Sequence, residues 1–164
     1  YFLERVVPVA EGAGVKLAAH QDDPPAEELR GTGRLLTSHK AMKRLIETVP
    51  SPCNGLEFCQ GTVGEMGPDR AVDAIRYFGG LNKIFYVHFR NIRGQFPKFD
   101  EVSIDEGDVD MFEAMQAYKE VGYDSVLIPD HSPRVEGETG YHHRGIAFSL
   151  GYMKALMQVV NRLP

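Results

Sequence analysis

The sequence predicts an α/β fold of parallel βα units, about four of them, which is half of an eight-stranded TIM-type barrel. Three observations predict it. Four short apolar runs each precede an amphipathic stretch, in the same order along the chain. Short turns containing Gly or Pro join them, with no linker or low-complexity stretch between. Each apolar run also ends in, or just before, a side chain able to bind a metal. Alternating strand and helix argue for a parallel sheet covered by helices. A doubly wound open sheet obeys the same alternation, and strand counting alone leaves it open. No Gly-rich phosphate loop follows the first strand, which counts against the dinucleotide-binding version of that rival.

The elements follow in order. Phe2, Leu3, Val6, Val7 and Val9 recur at helical spacing until Gly12 and Gly14 end the run. The chain starts at Tyr1 rather than Met, inside that pattern, so an upstream part of a larger protein is expected. Strands are expected at residues 15–20, 56–59, 84–89 and 125–128, where β-branched and aromatic residues cluster. Helices are expected at 38–48, 68–78, 109–121 and 145–163. Stripes such as Met42, Leu45, Ile46 and Val49, or Met111, Phe112, Met115 and Tyr118, carry those assignments. Asp108 is the expected N-cap of the third of these helices and Gly122 its terminator. The methionines read as core filling.

Composition bounds the function. The 164 residues are 43% apolar and 25% charged, as in an ordinary globular domain. A net charge of −5 without a dense Lys/Arg stripe argues against a nucleic-acid surface. No apolar run reaches the roughly 18 residues of a membrane span, and no leader pattern opens the chain. A cytoplasmic protein is therefore expected. Cys53 and Cys59 read as reduced thiols.

The positions of the polar residues carry more. His20, Cys59 and His88 close three of the strands, and Asp130 follows the fourth after Ile128-Pro129. In barrels and parallel sheets the C-terminal strand ends converge on one face, where ligands bind. Taken singly, each residue has a plain explanation: a hydrogen-bonded His, an inert buried thiol, a loop-capping Asp. Four in register supply imidazole, thiolate and carboxylate to one point, a set suited to a borderline divalent transition metal. Arg90, beside Asn91, is positioned to clamp a substrate carboxylate, or else to close its loop by a salt bridge. Asp22 and Asp23 serve the site or cap the turn before Pro24-Pro25. His142 and His143 read as a solvated loop.

Five segments resemble mannonate dehydratases. They are His20-Gln21-Asp22-Asp23-Pro24-Pro25, Phe58-Cys59-Gln60-Gly61, Val87-His88-Phe89-Arg90-Asn91, Asp105-Glu106-Gly107-Asp108-Val109-Asp110-Met111 and Pro129-Asp130-His131. They occur in that family's order and cover nearly the whole chain. The resemblance implies a xylose-isomerase-like TIM barrel, with residues 1–164 as one domain forming its C-terminal half. It implies dehydration of D-mannonate to 2-keto-3-deoxy-D-gluconate in hexuronate catabolism. It also implies a divalent metal, Mn²⁺ with Fe²⁺ or Co²⁺ as substitutes, held by His20, Cys59, His88 and Asp130. Arg90 and Asn91 become the expected substrate contacts, and His131 and Tyr141 the expected acid–base pair, with the direction of proton transfer between them open. The expected partner is a small sugar acid, with neither nucleic acid nor membrane. A half-barrel leaves parallel edges unpaired, so a homo-oligomer is expected as well. Three departures accompany the resemblance. Gln21 stands where the family usually has Pro. Gly140-Tyr141-His142-His143 replaces a Pro-Gly-Tyr-Gly-like turn. A full barrel of the family is about twice as long. Two other readings share these residues: a metal-dependent sugar isomerase or epimerase of the same fold, and a non-catalytic half-barrel acting as a binding or assembly module.

Overall fold

Helix α1 (Phe2–Gly12) leads into strand β1 (Leu17–His20), as apolar spacing followed by a glycine-rich break requires. A small hairpin, β2 (Glu28–Leu29) and β3 (Thr32–Gly33), precedes α2 (His39–Thr48). Then come β4 (Asn54–Cys59), α3 (Gln60–Glu65), α4 (Arg70–Gly80) and β5 (Ile84–His88). A second hairpin, β6 (Ile92–Gln95) and β7 (Lys98–Glu101), is followed by α5 (Met111–Glu120), β8 (Val126–Ile128) and α6 (His143–Val160). The structure is a computed structural model and describes residues 1–163.

The sheet runs β1-β4-β5-β8, and all three pairings are parallel. Consecutive βα units therefore lie side by side, and strand order never reverses. A doubly wound sheet reverses its order at a switch point; a barrel does not, and these four units follow the barrel rule. Side-chain alternation then assigns the faces. Leu56 and Phe58 on β4, Val87 on β5 and the adjoining Phe89 are fully buried, in one core with Ile75 and Phe78 of α4 and Met115 and Tyr118 of α5. Burying each large apolar side chain contributes about 1.5–3 kcal/mol relative to exposure. Glu57, Cys59, Tyr86 and His88 alternate onto the other face.

Local chemistry explains the helix ends. The Ser38 hydroxyl accepts the Ala41 N–H at 3.2 Å and starts α2. At α5 the expected cap is corrected. The Asp110 carboxylate accepts the N–H groups of Phe112 and Glu113 at 3.0 and 2.9 Å. Asp108 instead accepts the Gly94 N–H at 2.7 Å and fastens the second hairpin. Gly122 adopts φ +70, the left-handed conformation that ends α5.

The two hairpins and α3 have no counterpart among the expected elements. β2 and β3 are two residues each and exposed, too short for any periodicity. Arg93, Gln95 and Lys98 make β6–β7 polar. Helix α3 carries two glycines in six residues, a poor helix former by composition, yet every one of its residues is buried. Packing outweighs propensity there. Among the described residues no helix is long and apolar enough to cross a membrane.

Candidate metal centre

Three strands end together. Parallel register sets Cys59 of β4 beside His88 of β5, and His20 of β1 beside Glu57. One donor atom from each of His20, Cys59 and His88 lies within 4.8 Å of the others. The two imidazoles are 5.2 Å apart between ring centres. The neighbours orient each ring. His20 Nδ1 lies 2.5 Å from the Gln21 carbonyl, to which it donates, and His88 Nε2 lies 2.7 Å from Glu57 Oε1. His88 Nδ1 is buried and has no hydrogen-bond partner among the described residues. Asp130 follows β8 with φ +62, a left-handed conformation uncommon outside glycine and enriched at functional positions. One Asp130 carboxylate oxygen lies 3.5 Å from that same His88 Nδ1.

The charges favour a cation. A hydrogen bond to Cys59 is the main cause that carries His20 up to about 9, against the opposing pull of burial. Burial pushes the Cys59 thiol up, but the adjoining His20 and His88 rings and the nearby Arg90 charge outweigh it and bring it to about 6. Near neutral pH these shifts favour thiolate and imidazolium, and the thiolate is the form of Cys59 that binds a metal. A buried thiolate, two imidazoles, an orphaned ring nitrogen and an adjacent carboxylate fit a borderline divalent ion.

Arg90 and Asn91 have other employment. Arg90 is 3% exposed. Its Nη2 lies 2.5 Å from Asp23 Oδ2, 3.1 Å from Glu65 Oε1 and 3.2 Å from Thr62 Oγ1. Its Nε lies 3.4 Å from Asp130, and its Nη1 lies 3.7 Å from Glu101. A Cβ on Gly61 would sit 2.5 Å from Nη1, so only glycine admits the guanidinium. Of the two readings of Arg90, the structure shows the salt-bridge contacts: the buried guanidinium gathers four carboxylates from separate segments of the chain. Burial acts to lower the Arg90 pKa, but the negative charges of Cys59, Asp23, Glu65 and Glu101 hold its proton more firmly. Burial and Asp23 together push Glu65 up to about 8, with Arg90 opposing. Asn91, also 3% exposed, donates to the Ile104 and Val109 carbonyls and accepts from the Ile92 and Val109 N–H groups. Its hydrogen bonds all go to backbone groups of the chain.

The acid–base candidates part company. His131 is 40% exposed at the rim, with Nδ1 3.0 Å from Glu101 Oε2 and Nε2 3.2 Å from Asp130 Oδ2. The Glu101 hydrogen bond raises the His131 pKa, and the same bond lowers that of Glu101. Tyr141 is 71% exposed on the loop before α6, its ring 5.9 Å from that of His142. Sequence reasoning missed Glu57, Glu65 and Glu101. Glu57 had a legible signal, since it stands two residues before Cys59 and so shares its face. Glu101 had none. Asp22 accepts from the Leu35 and Leu36 N–H groups and from Arg34, which ties the end of β1 to the segment after the first hairpin.

A mannonate dehydratase of Thermotoga petrophila is 36% identical over 99% of this chain and 47% of its own length. One of Enterococcus faecalis is 38% identical over 96% of this chain and 45% of its own. The chain thus spans about half the length of the curated relatives it matches. The crystal structure of mannonate dehydratase from Streptococcus suis serotype 2 superposes with a TM-score of 0.91 at 29% identity, covering 99% of this chain and 48% of that one. A D-tagatose 3-epimerase-like protein shares the fold with a TM-score of 0.71 at 21% identity, covering 97% of this chain and 53% of its own. Residues 1–163 match the family described as D-mannonate dehydratase (UxuA). With four barrel-type βα units, a strand-end cluster of His20, Cys59 and His88, and this match along its length, the chain belongs to the D-mannonate dehydratase family.

Proposed function

We propose that this chain carries the metal centre of a hydro-lyase that converts D-mannonate to 2-keto-3-deoxy-D-gluconate. The observation that carries the reading is the convergence of His20, Cys59 and His88, with donor atoms within 4.8 Å of one another at the C-terminal strand ends. With Asp130 they would hold a divalent ion, Mn²⁺ or in its place Fe²⁺ or Co²⁺. Such an ion supplies positive charge against the negative charge that develops beside the substrate carboxylate.

The protein's own residues handle protons and position. The C2–H bond breaks and its proton passes to a base. The C3–O bond breaks, and the departing hydroxide takes a proton from an acid to leave as water. The C2 enol then ketonises by protonation at C3, so one water is lost overall. His131 and Tyr141 divide the two proton transfers. His131 is held at the rim by Glu101 and Asp130, and Tyr141 lies on the exposed loop before α6. Arg90 acts indirectly, by fixing Asp130. A cytoplasmic homo-oligomer belongs to the same reading.

The test is to load the purified protein with Mn²⁺, add D-mannonate and identify the product. A 2-keto-3-deoxy acid is expected. An isomeric or epimeric sugar acid formed without loss of water would make this an isomerase or epimerase instead. A protein with neither bound metal nor product would be a half-barrel binding or assembly module.

A further inference from the structure

Gln21 follows the last residue of β1, and it is 2% exposed. The β1–β4 ladder ends at the His20–Glu57 pair, short of Cys59. Beyond that point the Gln21 side chain continues the connection. Its carboxamide oxygen accepts the Cys59 N–H at 2.9 Å, across 38 residues of sequence. A buried amide would otherwise stand unpaired, at a cost of about 1–3 kcal/mol. The other end of the carboxamide is tethered, with Nε2 3.1 Å from Met42 Sδ. The main chain is tethered as well, because the next residue, Asp22, donates its N–H to the Leu36 carbonyl at 3.1 Å and accepts the Leu36 N–H at 2.6 Å. Meanwhile the Gln21 carbonyl takes the His20 Nδ1–H, which leaves His20 Nε2 for the centre.

We infer that Gln21 is a positioning residue of the metal centre, setting the His20 ring through its main-chain carbonyl and the Cys59 backbone through its carboxamide oxygen. One residue thereby registers two ligands on adjacent strands. The inference rests on reading His20, Cys59 and His88 as metal ligands. It does not depend on which sugar acid is turned over.

The probe is Co²⁺, whose thiolate charge-transfer absorption reports ligation by Cys59. Gln21→Met keeps the length of the side chain and removes the accepting oxygen. It should weaken Co²⁺ binding about 10–100-fold, the usual effect of losing a group that orients a ligand, and diminish the charge-transfer band. The melting temperature should change little, which separates positioning from general loss of fold. Gln21→Glu restores an oxygen at the same place and should recover most of the binding. Unchanged binding and band in Gln21→Met overturn the inference, as does an equal loss in Gln21→Glu. If Gln21→Met does not fold, exchange of the Cys59 amide in the wild-type protein decides. Slow exchange supports the bond, and exchange at the rate of an open loop overturns it. A wild-type protein that takes up no Co²⁺ overturns the metal-centre reading and this inference together. Wild-type uptake with an indifferent Gln21→Met overturns this inference alone.

Discussion

Cys59 is fully buried, which raises a thiol's pKa, yet the adjoining His20 and His88 rings and the Arg90 charge bring it to about 6. Its own bond in turn carries His20 to about 9. Between those values the metal-free pair is thiolate and imidazolium, so an incoming ion must displace the His20 proton. Metal affinity should therefore rise with pH up to about 9. Below about 6 it should fall more steeply, as Cys59 also takes up a proton. Calorimetric titration at neutral pH, in buffers of different ionisation heat, should show close to one proton released per ion. Uptake without proton release would contradict the pairing. Cys59→Ser keeps the size and removes the soft donor, so bound metal in the purified variant should drop sharply; an inert core thiol would leave it unchanged. Asn91→Ala strands buried carbonyls and amides around it and should destabilise by about 1–3 kcal/mol or more. A variant with an unchanged melting temperature and a raised KM would return Asn91 to the substrate.

Helix α5 shows where element boundaries come from. Two aspartates, Asp108 and Asp110, precede the same apolar stripe, and either satisfies the pattern for an N-cap. The choice falls to Asp110 because its carboxylate reaches two free helical N–H groups. Asp108 is drawn off to Gly94 across 14 residues. Asp110→Ala should cost about 1 kcal/mol and speed amide exchange at Phe112 and Glu113. Asp108→Ala should leave those amides protected and release Gly94 instead. The same variants with the two effects exchanged would restore Asp108 as the cap. The strands were legible at the element scale because three to six consecutive residues carry the period. The hairpins were not, since two to four polar residues hold no periodic signal and pair only when their ends are brought together.

The whole molecule leaves two parallel edges, the outer sides of β1 and β8. Val126 on the latter is 49% exposed. Unpaired strand edges with apolar flanks invite association. On its own this chain should form dimers or larger assemblies in light scattering, with β1 and β8 protected from exchange. It should turn over D-mannonate weakly, because substrate would be held from one side only. A clean monomer with full turnover would overturn that expectation. What the sequence by itself determined is the run of βα units and the placing of His20, Cys59 and His88 at strand ends. Alternation and strand period are local properties, and parallel strands deliver their C-terminal ends to one face. Only the tertiary structure decided that Arg90 serves four carboxylates, that Asn91 is spent on backbone groups, that Glu101 reaches His131 and that Gln21 reaches Cys59. Each of those outcomes depends on which side chains meet across loops distant in sequence, and no local pattern encodes a meeting of that kind.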